Sequence, residues 1–214
     1  DVVSSCTKNG GDCVGTKEIA INALDQLSVA QQTLLTVCVG TTPPPPPAEP
    51  PTIPGDIVIT EFMANPLVVS DSVGEWFEVH NPTSTDFDLN GLVVGDNGVD
   101  SFTIDATLFL PAGGFVVLGN NGDTTVNGGV TLDFVYSDFF LGDLADEIQI
   151  LNGTTLLDEI DYSTVYIQSG QSRELSTSHF NGTDNDDEGN WCYGTTLFGD
   201  GGYGTPGVTN DCQL

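Results

Sequence analysis

Apolar and polar positions alternate in short bursts along most of this chain, and recur at helical spacing in only one place. Near the N-terminus, Ala20, Leu24, Leu27, Leu34 and Cys38 follow a three-and-four spacing, which predicts an amphipathic helix within 17–37. The end of that stretch, Leu34-Leu35-Thr36-Val37-Cys38-Val39, reads equally well as a strand, so the helix is not carried past about Gln32. From residue 55 onward the runs are short, β-branched and aromatic, with Asn, Gly and Asp between them. Strands are expected at 57–63, 76–80, 86–94, 102–104, 115–119, 132–136, 147–151, 155–162 and 171–175. Phe77 and Val79 alternate with Trp76 and Glu78, and Ile148 and Ile150 flank Gln149. Asn152-Gly153 reads as a type I′ hairpin turn, because both residues accept positive φ.

Between these regions the chain is punctuated by proline. Residues 43–54 (PPPPPAEPPTIP) read as a semi-rigid spacer of about 3.1 Å per residue, roughly 35 Å in all. The organisation expected is therefore a small cysteine-containing segment at 1–42, a linker at 43–54 and an all-β domain at 55–214. The first segment is too small to bury a core alone, so the β domain or a neighbouring copy must cover its apolar stripe.

Charge narrows the partners. The chain carries 31 acidic residues against three basic ones (Lys8, Lys17 and Arg173), a formal net charge of −28. Such a field repels phosphate backbones and anionic membrane surfaces, so neither nucleic acid nor a membrane is expected as a partner. Two readings of the acidic coat stay open: solubility in salty water, or binding of divalent cations.

Five cysteines in so polar a chain indicate an oxidising compartment. No secretory h-region and no bilayer-length apolar run is present, so Asp1 reads as a mature N-terminus and a secreted, extracellular or cell-surface location is expected. Cys192 and Cys212 flank the closing segment, and a bond between them would staple the C-terminus at a gain of about 3 kcal/mol. Of Cys6, Cys13 and Cys38, two can pair locally; the third is either a buried thiol or a bridge to another chain.

The materials for catalysis are sparse. His80 and His179 are far apart, and neither a Gly-x-Ser-x-Gly elbow nor a His-Glu-x-x-His helix occurs. His80, at a strand end, reads as structural and His179 as solvated. Carboxylate pairs such as Glu75/Glu78 and Asp158/Glu159, with Asp161 nearby, are too numerous in this chain to single out. No enzyme is expected, and no cofactor is required.

The densest oxygen cluster is Asp184-Asn185-Asp186-Asp187-Glu188-Gly189-Asn190. Asp184, Asp186, Asp187 and Glu188 are the ligands a Ca²⁺ ion would take there, a solvated acidic loop being the alternative; Asp143, Asp146 and Glu147 form a weaker cluster. Asn152 and Asn181 begin N-glycosylation sequons. Trp76, Trp191, Tyr193 and Tyr203 are the candidate sugar-stacking surfaces, although core packing accounts better for Trp76.

Several segments in order carry a family likeness. They are Ile59-Thr60-Glu61-Phe62-Met63-Ala64-Asn65-Pro66, Glu75-Trp76-Phe77-Glu78-Val79-His80-Asn81-Pro82, Asp88-Leu89-Asn90-Gly91 and Leu110-Pro111-Ala112-Gly113-Gly114-Phe115. Asp158 to Tyr162, Gly170-Gln171-Ser172 and Gly204-Thr205-Pro206-Gly207-Val208-Thr209-Asn210 complete the series. Across about 56–210 the chain resembles a bacterial lamin tail domain. The resemblance implies an all-β, immunoglobulin-like sandwich in a secreted bacterial or archaeal setting, and a non-enzymatic interaction module. Each piece also has a physical reading: Asn65-Pro66 and Asn81-Pro82 end strands, Leu89-x-Gly91 pairs a core leucine with a tight bend, and Thr205-Pro206-Gly207 fits a type II turn.

The function expected is a non-catalytic subunit of an extracellular filament, sheath or surface layer, joined to copies of itself through the N-terminal segment. The alternative is a monomeric adhesion or binding module that depends on Ca²⁺ or on surface glycans.

Overall fold

Short strands rich in Val, Ile and Phe build two main sheets over residues 48–214, the part of the chain that the computed structural model describes. Cys6, Cys13 and Cys38 with their expected local pairing, the amphipathic stripe and prolines 43–47 lie outside the described residues.

The larger sheet runs in the order β12-β11-β1-β2-β7-β8. Its members are β1 (Val58–Met63), β2 (Trp76–His80), β7 (Phe115–Gly119), β8 (Phe134–Val135), β11 (Arg173–Leu175) and β12 (Trp191–Tyr193). All neighbours are antiparallel except β7 and β8. The smaller sheet has the order β10-β9-β4-β5, from β4 (Val93–Gly95), β5 (Ser101–Thr103), β9 (Glu147–Asn152) and β10 (Thr155–Asp161). Two ribbons complete the domain: β3 (Phe87–Asp88) with β6 (Phe109–Leu110), and β13 (Leu197–Phe198) with β14 (Gly202–Tyr203). This is an immunoglobulin-like all-β fold.

Ile59, Phe77, Val79 and Leu118 of the larger sheet share one core with Val94, Ile148, Ile150 and Ile160 of the smaller. Phe77, Phe102, Tyr136 and Phe139 fill one end, with Phe102 and Tyr136 stacked at 4.6 Å between centroids. Burying each large apolar side chain contributes about 1.5–3 kcal/mol, so this layer supplies most of the driving force.

Three sequence expectations are corrected by the structure. The run 86–94 is two strands, β3 and β4, because Gly91 takes φ +89° and Leu92 N–H closes a turn on the Leu89 carbonyl. The hairpin after β9 pairs Asn152 with Thr155, so its two loop residues are Gly153 and Thr154. Only Gly153 has positive φ (59°), the pattern of a type II′ turn and not of type I′. The alternation in 76–80 does not separate core from solvent either: all five residues are buried, because both faces of β2 are covered.

Further short strands at β6, β12, β13 and β14 escape the sequence pattern, since two- and three-residue strands have no period to read. The proline-rich stretch joins the sandwich from Ala48 onward. Glu49 bridges to Phe87, Asn152 donates to the Pro51 carbonyl at 2.9 Å, and Asp56 accepts from the amides of Thr52 and Ile53.

Candidate functional site: a row of carboxylates under the C-terminal segment

β1 is the centre of the arrangement. Its register pairs Glu61 with Glu174 of β11 on one side and with Glu78 of β2 on the other. Three glutamates thus stand in a row across adjacent strands on one face of the larger sheet, and all three are fully buried. A bulge at Thr60 sets this register, because it shifts the pairing between Ile59 and Glu61.

What covers the row is the C-terminal segment 204–212. Glu61 accepts the Thr205 amide (2.8 Å) through Oε1, and its Oε2 lies 3.1 Å from the Thr205 hydroxyl. Glu78 accepts the Thr60 hydroxyl (2.8 Å) and the Gly207 amide (2.7 Å). Glu174 accepts the amides of Asp211 and Cys212 through Oε2, while its Oε1 lies 3.2 Å from the Thr205 hydroxyl. Pro206 and Gly207 make the turn that aims these amides downward, with Gly207 at φ +83° and Val208 N–H bonded to the Thr205 carbonyl, as a type II turn requires. Asn210 donates to the carbonyls of Thr60 and Leu175, and Cys212 is disulfide-bonded to Cys192 of β12.

The electrostatics of the row call for protons. Burial, then the charges of Glu78 and Glu174, hold the Glu61 carboxyl well above the usual carboxylate range. Burial pushes Glu78 up to about 8 and Glu174 up to about 7. The Thr205 hydroxyl lies within hydrogen-bond distance of both Glu61 and Glu174 but has one hydrogen to give. A proton on one of these carboxyls completes the second bond. Among the described residues no basic side chain offsets the row: Arg173 lies over the Tyr193 ring at 4.8 Å and reaches toward the Trp191 carbonyl.

Two further buried carboxyls serve the same kind of purpose. Asp158 accepts the Ile59 amide (2.7 Å) and the Asn185 side-chain amide (2.8 Å), and burial pushes it up to about 8. Glu75 accepts the Leu141 amide (3.1 Å), and burial pushes it up to about 8 as well. Strongly shifted acids often mark a catalytic cleft. Here the oxygens of Glu61, Glu78 and Glu174 are all engaged by the chain's own hydroxyls and amides, which is a fastening role.

Glu78→Gln retains the shape of a protonated carboxyl, with its oxygen on the Gly207 amide and its NH₂ on the Thr60 hydroxyl. At pH 8 this substitution is expected to raise the melting temperature, by about 1–2 kcal/mol of stability, while leaving it nearly unchanged at pH 5. Calorimetry at the two pH values checks this; equal shifts at both would show that charge at Glu78 is not what is relieved.

The residues singled out in the sequence are dispersed by comparison. Asp184 is bonded to the Asn181 side chain, and Asp187 caps Gly189 N–H in the 3₁₀ turn Glu188–Asn190. Asp186 and Glu188 line a small cleft of about 20 Å³ with Asp161, Arg173 and Trp191. Asn185, and not one of the acids, is the buried member of that loop; it holds Asp158 and receives the Trp191 indole N–H on its carbonyl. Of the weaker acidic cluster, Asp146 accepts the Gly142 and Glu147 amides. Among the described residues no three of His, Cys, Asp and Glu are grouped to hold a metal ion.

Asn152 is half-buried with its amide on Pro51, whereas Asn181 is exposed. Trp76 and Trp191 are buried, Tyr193 is half-buried and Tyr203 is exposed. His80 shares a hydrogen bond with the Gly114 carbonyl and stacks on Phe115 at 4.4 Å, and its burial lowers its pKa; His179 is half-buried beside Ser178.

The sequence does not mark Glu61 and Glu174 as site residues, because nothing in it reveals strand register. The available signal was the glutamate inside each of two strands that otherwise read as apolar or mixed.

A sandwich that fastens its own terminal segment with buried carboxyls is an immunoglobulin-like structural or binding domain. The Lamin Tail Domain family model matches residues 50–186, and the chain belongs to the lamin tail domain family. The match takes in all three glutamates and stops short of the segment they hold. No curated protein matches the chain.

Proposed function

We propose that this chain is a non-catalytic extracellular structural protein, a subunit of a filament, sheath or surface layer that assembles through its N-terminal segment. The observation that carries this reading is the use made of the buried carboxyls. The row of Glu61, Glu78 and Glu174, where shifted acids would otherwise suggest chemistry, is closed over by residues 204–212 and a disulfide. A domain fastened in this way suits bearing load better than turning over a substrate.

Cysteine arithmetic supports the assembly. Cys192 and Cys212 are paired, and the odd number that Cys6, Cys13 and Cys38 make is the reason to assign one of them a bridge between copies. The disulfide fits an oxidising compartment, and no helix among the described residues is long and apolar enough to cross a membrane. The net charge of −28 disfavours nucleic acid and anionic lipid as partners.

Light scattering on the native protein, without reductant and then with it, tests the reading. Large species are expected without reductant. Their loss on reduction would identify a covalently locked polymer, and their persistence would identify docking alone. A monomer under both conditions would sink the proposal. It would favour a monomeric Ca²⁺- or glycan-dependent binding module instead, for which the cleft bearing Asp186, Glu188 and Trp191 is the place to look.

A further inference from the structure

Among the described residues, eight buried polar side-chain atoms have no hydrogen-bond partner, and two of them belong to groups already joined to each other. These are Asp158 Oδ1 and Asn185 Oδ1. Both residues are interior, Asp158 at 4% and Asn185 at 2% exposure. Asp158 Oδ2 accepts the Asn185 side-chain amide at 2.8 Å and the Ile59 amide at 2.7 Å, so the second oxygen of each partner is left without a donor. A buried acceptor without a donor is costly, and two on one carboxyl–amide pair have a single remedy, a hydrogen between them.

This pair seats the loop 181–190 on the sandwich. Asn185 is fixed from both sides: its amide donates to the Asn181 carbonyl at 3.2 Å, and its own carbonyl receives the Trp191 indole N–H at 2.8 Å. Gly182 lets the loop come down close, since a methyl group there would stand 2.9 Å from Asp158 Oδ1 and 3.1 Å from the Gly55 Cα. The free oxygen of Asp158 therefore faces the loop. No neighbouring element supplies it with a positive charge. β1 offers only the Ile59 amide; Asp56 is spent on the Thr52 and Ile53 amides, and Asp184 and Asp187 on Asn181 and Gly189. Arg173 lies over the Tyr193 ring, while Asp186 and Glu159 add negative charge beside Asp158.

We infer that Asp158 and Asn185 form a proton-closed latch: a hydrogen on Asp158 Oδ1 bonds to Asn185 Oδ1, and loss of that hydrogen frees the loop 181–190 from the sandwich. With the loop seated, burial first, then Asp186 and Glu159, hold the Asp158 carboxyl up at about 8. With the loop lifted, the carboxyl meets water and returns to its ordinary value near 4. Between these values the seated loop holds a proton that the lifted loop has lost, so the latch is tightest in acid. It loosens as pH rises and changes no further above about 8. Asn185, Asp186 and Glu188 line the cleft beside Trp191, so the latch also governs the shape of that cleft. The inference concerns one domain and is independent of how copies of the chain assemble.

Native-state hydrogen exchange on the full chain from pH 5 to pH 8, with the chemical exchange rate divided out, tests it in wild type, Asp158→Asn and Asn185→Ala. Asparagine at 158 copies the protonated acid at every pH, with its oxygen on Ile59 and its NH₂ on Asn185 Oδ1. The reporters are the amides of Asn185, Asp187 and Asn190, which are bonded within the loop, and β2 serves as the reference for global opening. Wild-type loop protection is expected to fall by up to about tenfold per pH unit while staying below that of β2. Asp158→Asn should keep the same loop protection at pH 5 and pH 8. Asn185→Ala should show low loop protection at both, and it decides alone if Asp158→Asn does not fold.

Wild-type loop protection that is flat with pH would overturn the latch. So would a fall in either variant as steep as that of wild type. Recovery of wild-type protection at pH 8 on adding millimolar Ca²⁺, absent in Asp158→Asn, would also overturn it, by placing a cation and not a proton between the two oxygens.

Discussion

The melting temperature of this protein is expected to fall as pH rises from about 5 to about 8, against the trend of acid-labile proteins. Glu61, Glu75, Glu78, Glu174 and Asp158 all have carboxyls raised by burial, with Glu75, Glu78 and Asp158 at about 8 and Glu174 at about 7. In the unfolded chain the same groups titrate near 4. Between these values the folded state holds protons that the unfolded state has lost, so the slope of stability with pH is negative. The stabilisation is complete below the unfolded values and drains away as pH passes the folded ones. Protons shared along the Glu61, Glu78 and Glu174 row make these contributions less than additive. A net loss on the order of 5 kcal/mol is expected, or about 10–20 °C in a domain of this size. Thermal melts at constant ionic strength from pH 5 to pH 8 measure it. A flat or rising profile would mean that the row is solvated or charge-compensated in solution.

Below this window the sign reverses. Asp123, Asp161 and Asp211 are held below the usual range: hydroxyl and amide hydrogen bonds dominate at Asp123 and Asp161, and at Asp211 they outweigh its burial. Their contribution disappears as pH falls through their folded values, which places the stability optimum in mildly acid solution.

Replacing both Cys192 and Cys212 by serine is expected to cost about 3 kcal/mol, a drop of roughly 6–12 °C in melting temperature. The bond closes a loop with a sequence separation of 20 and holds the C-terminal segment on the row. Without it, no covalent bond holds the Asp211 and Cys212 amides that Glu174 accepts against the sheet. Burial under the segment raises the Glu174 carboxyl to about 7, so undocking of the unstapled segment lets it ionise in water and relieves the native state at pH 8. The loss should therefore be smaller at pH 8 than at pH 5. Denaturant unfolding of the double variant at both pH values reads this out. A cost independent of pH would separate the disulfide from the carboxylate row.

Much of the sandwich is legible in the sequence. The expected strands at 76–80 and 115–119 coincide with β2 and β7, and those at 57–63, 147–151 and 155–162 lie within one residue of β1, β9 and β10 at either end. These are long enough to display period two, and Asn, Gly or Pro punctuates them. The burial of Glu78 is not legible there. In a sheet with one solvated face, a glutamate alternating with Phe77 and Val79 belongs to the surface. It is buried because residues 204–212, 129 or so positions away, lie across it. The acidic loop 184–190 misleads for a related reason. Its composition suggests a cation, while its geometry spends Asp184 and Asp187 on local hydrogen bonds and gives the interior position to Asn185.

The placement of residues 204–212 also bears on when the domain can become complete. Glu61 lies 144 residues before Thr205, and the Thr60 carbonyl lies 150 before Asn210, so the chain must have been made through Asn210 before its central strand is capped. Such distant pairings slow folding. Until the segment arrives, Glu61, Glu78 and Glu174 face water and ionise. Three negative charges in a row then guard the unfinished sheet against stacking on its neighbours, and the charge is withdrawn by proton uptake once the segment docks.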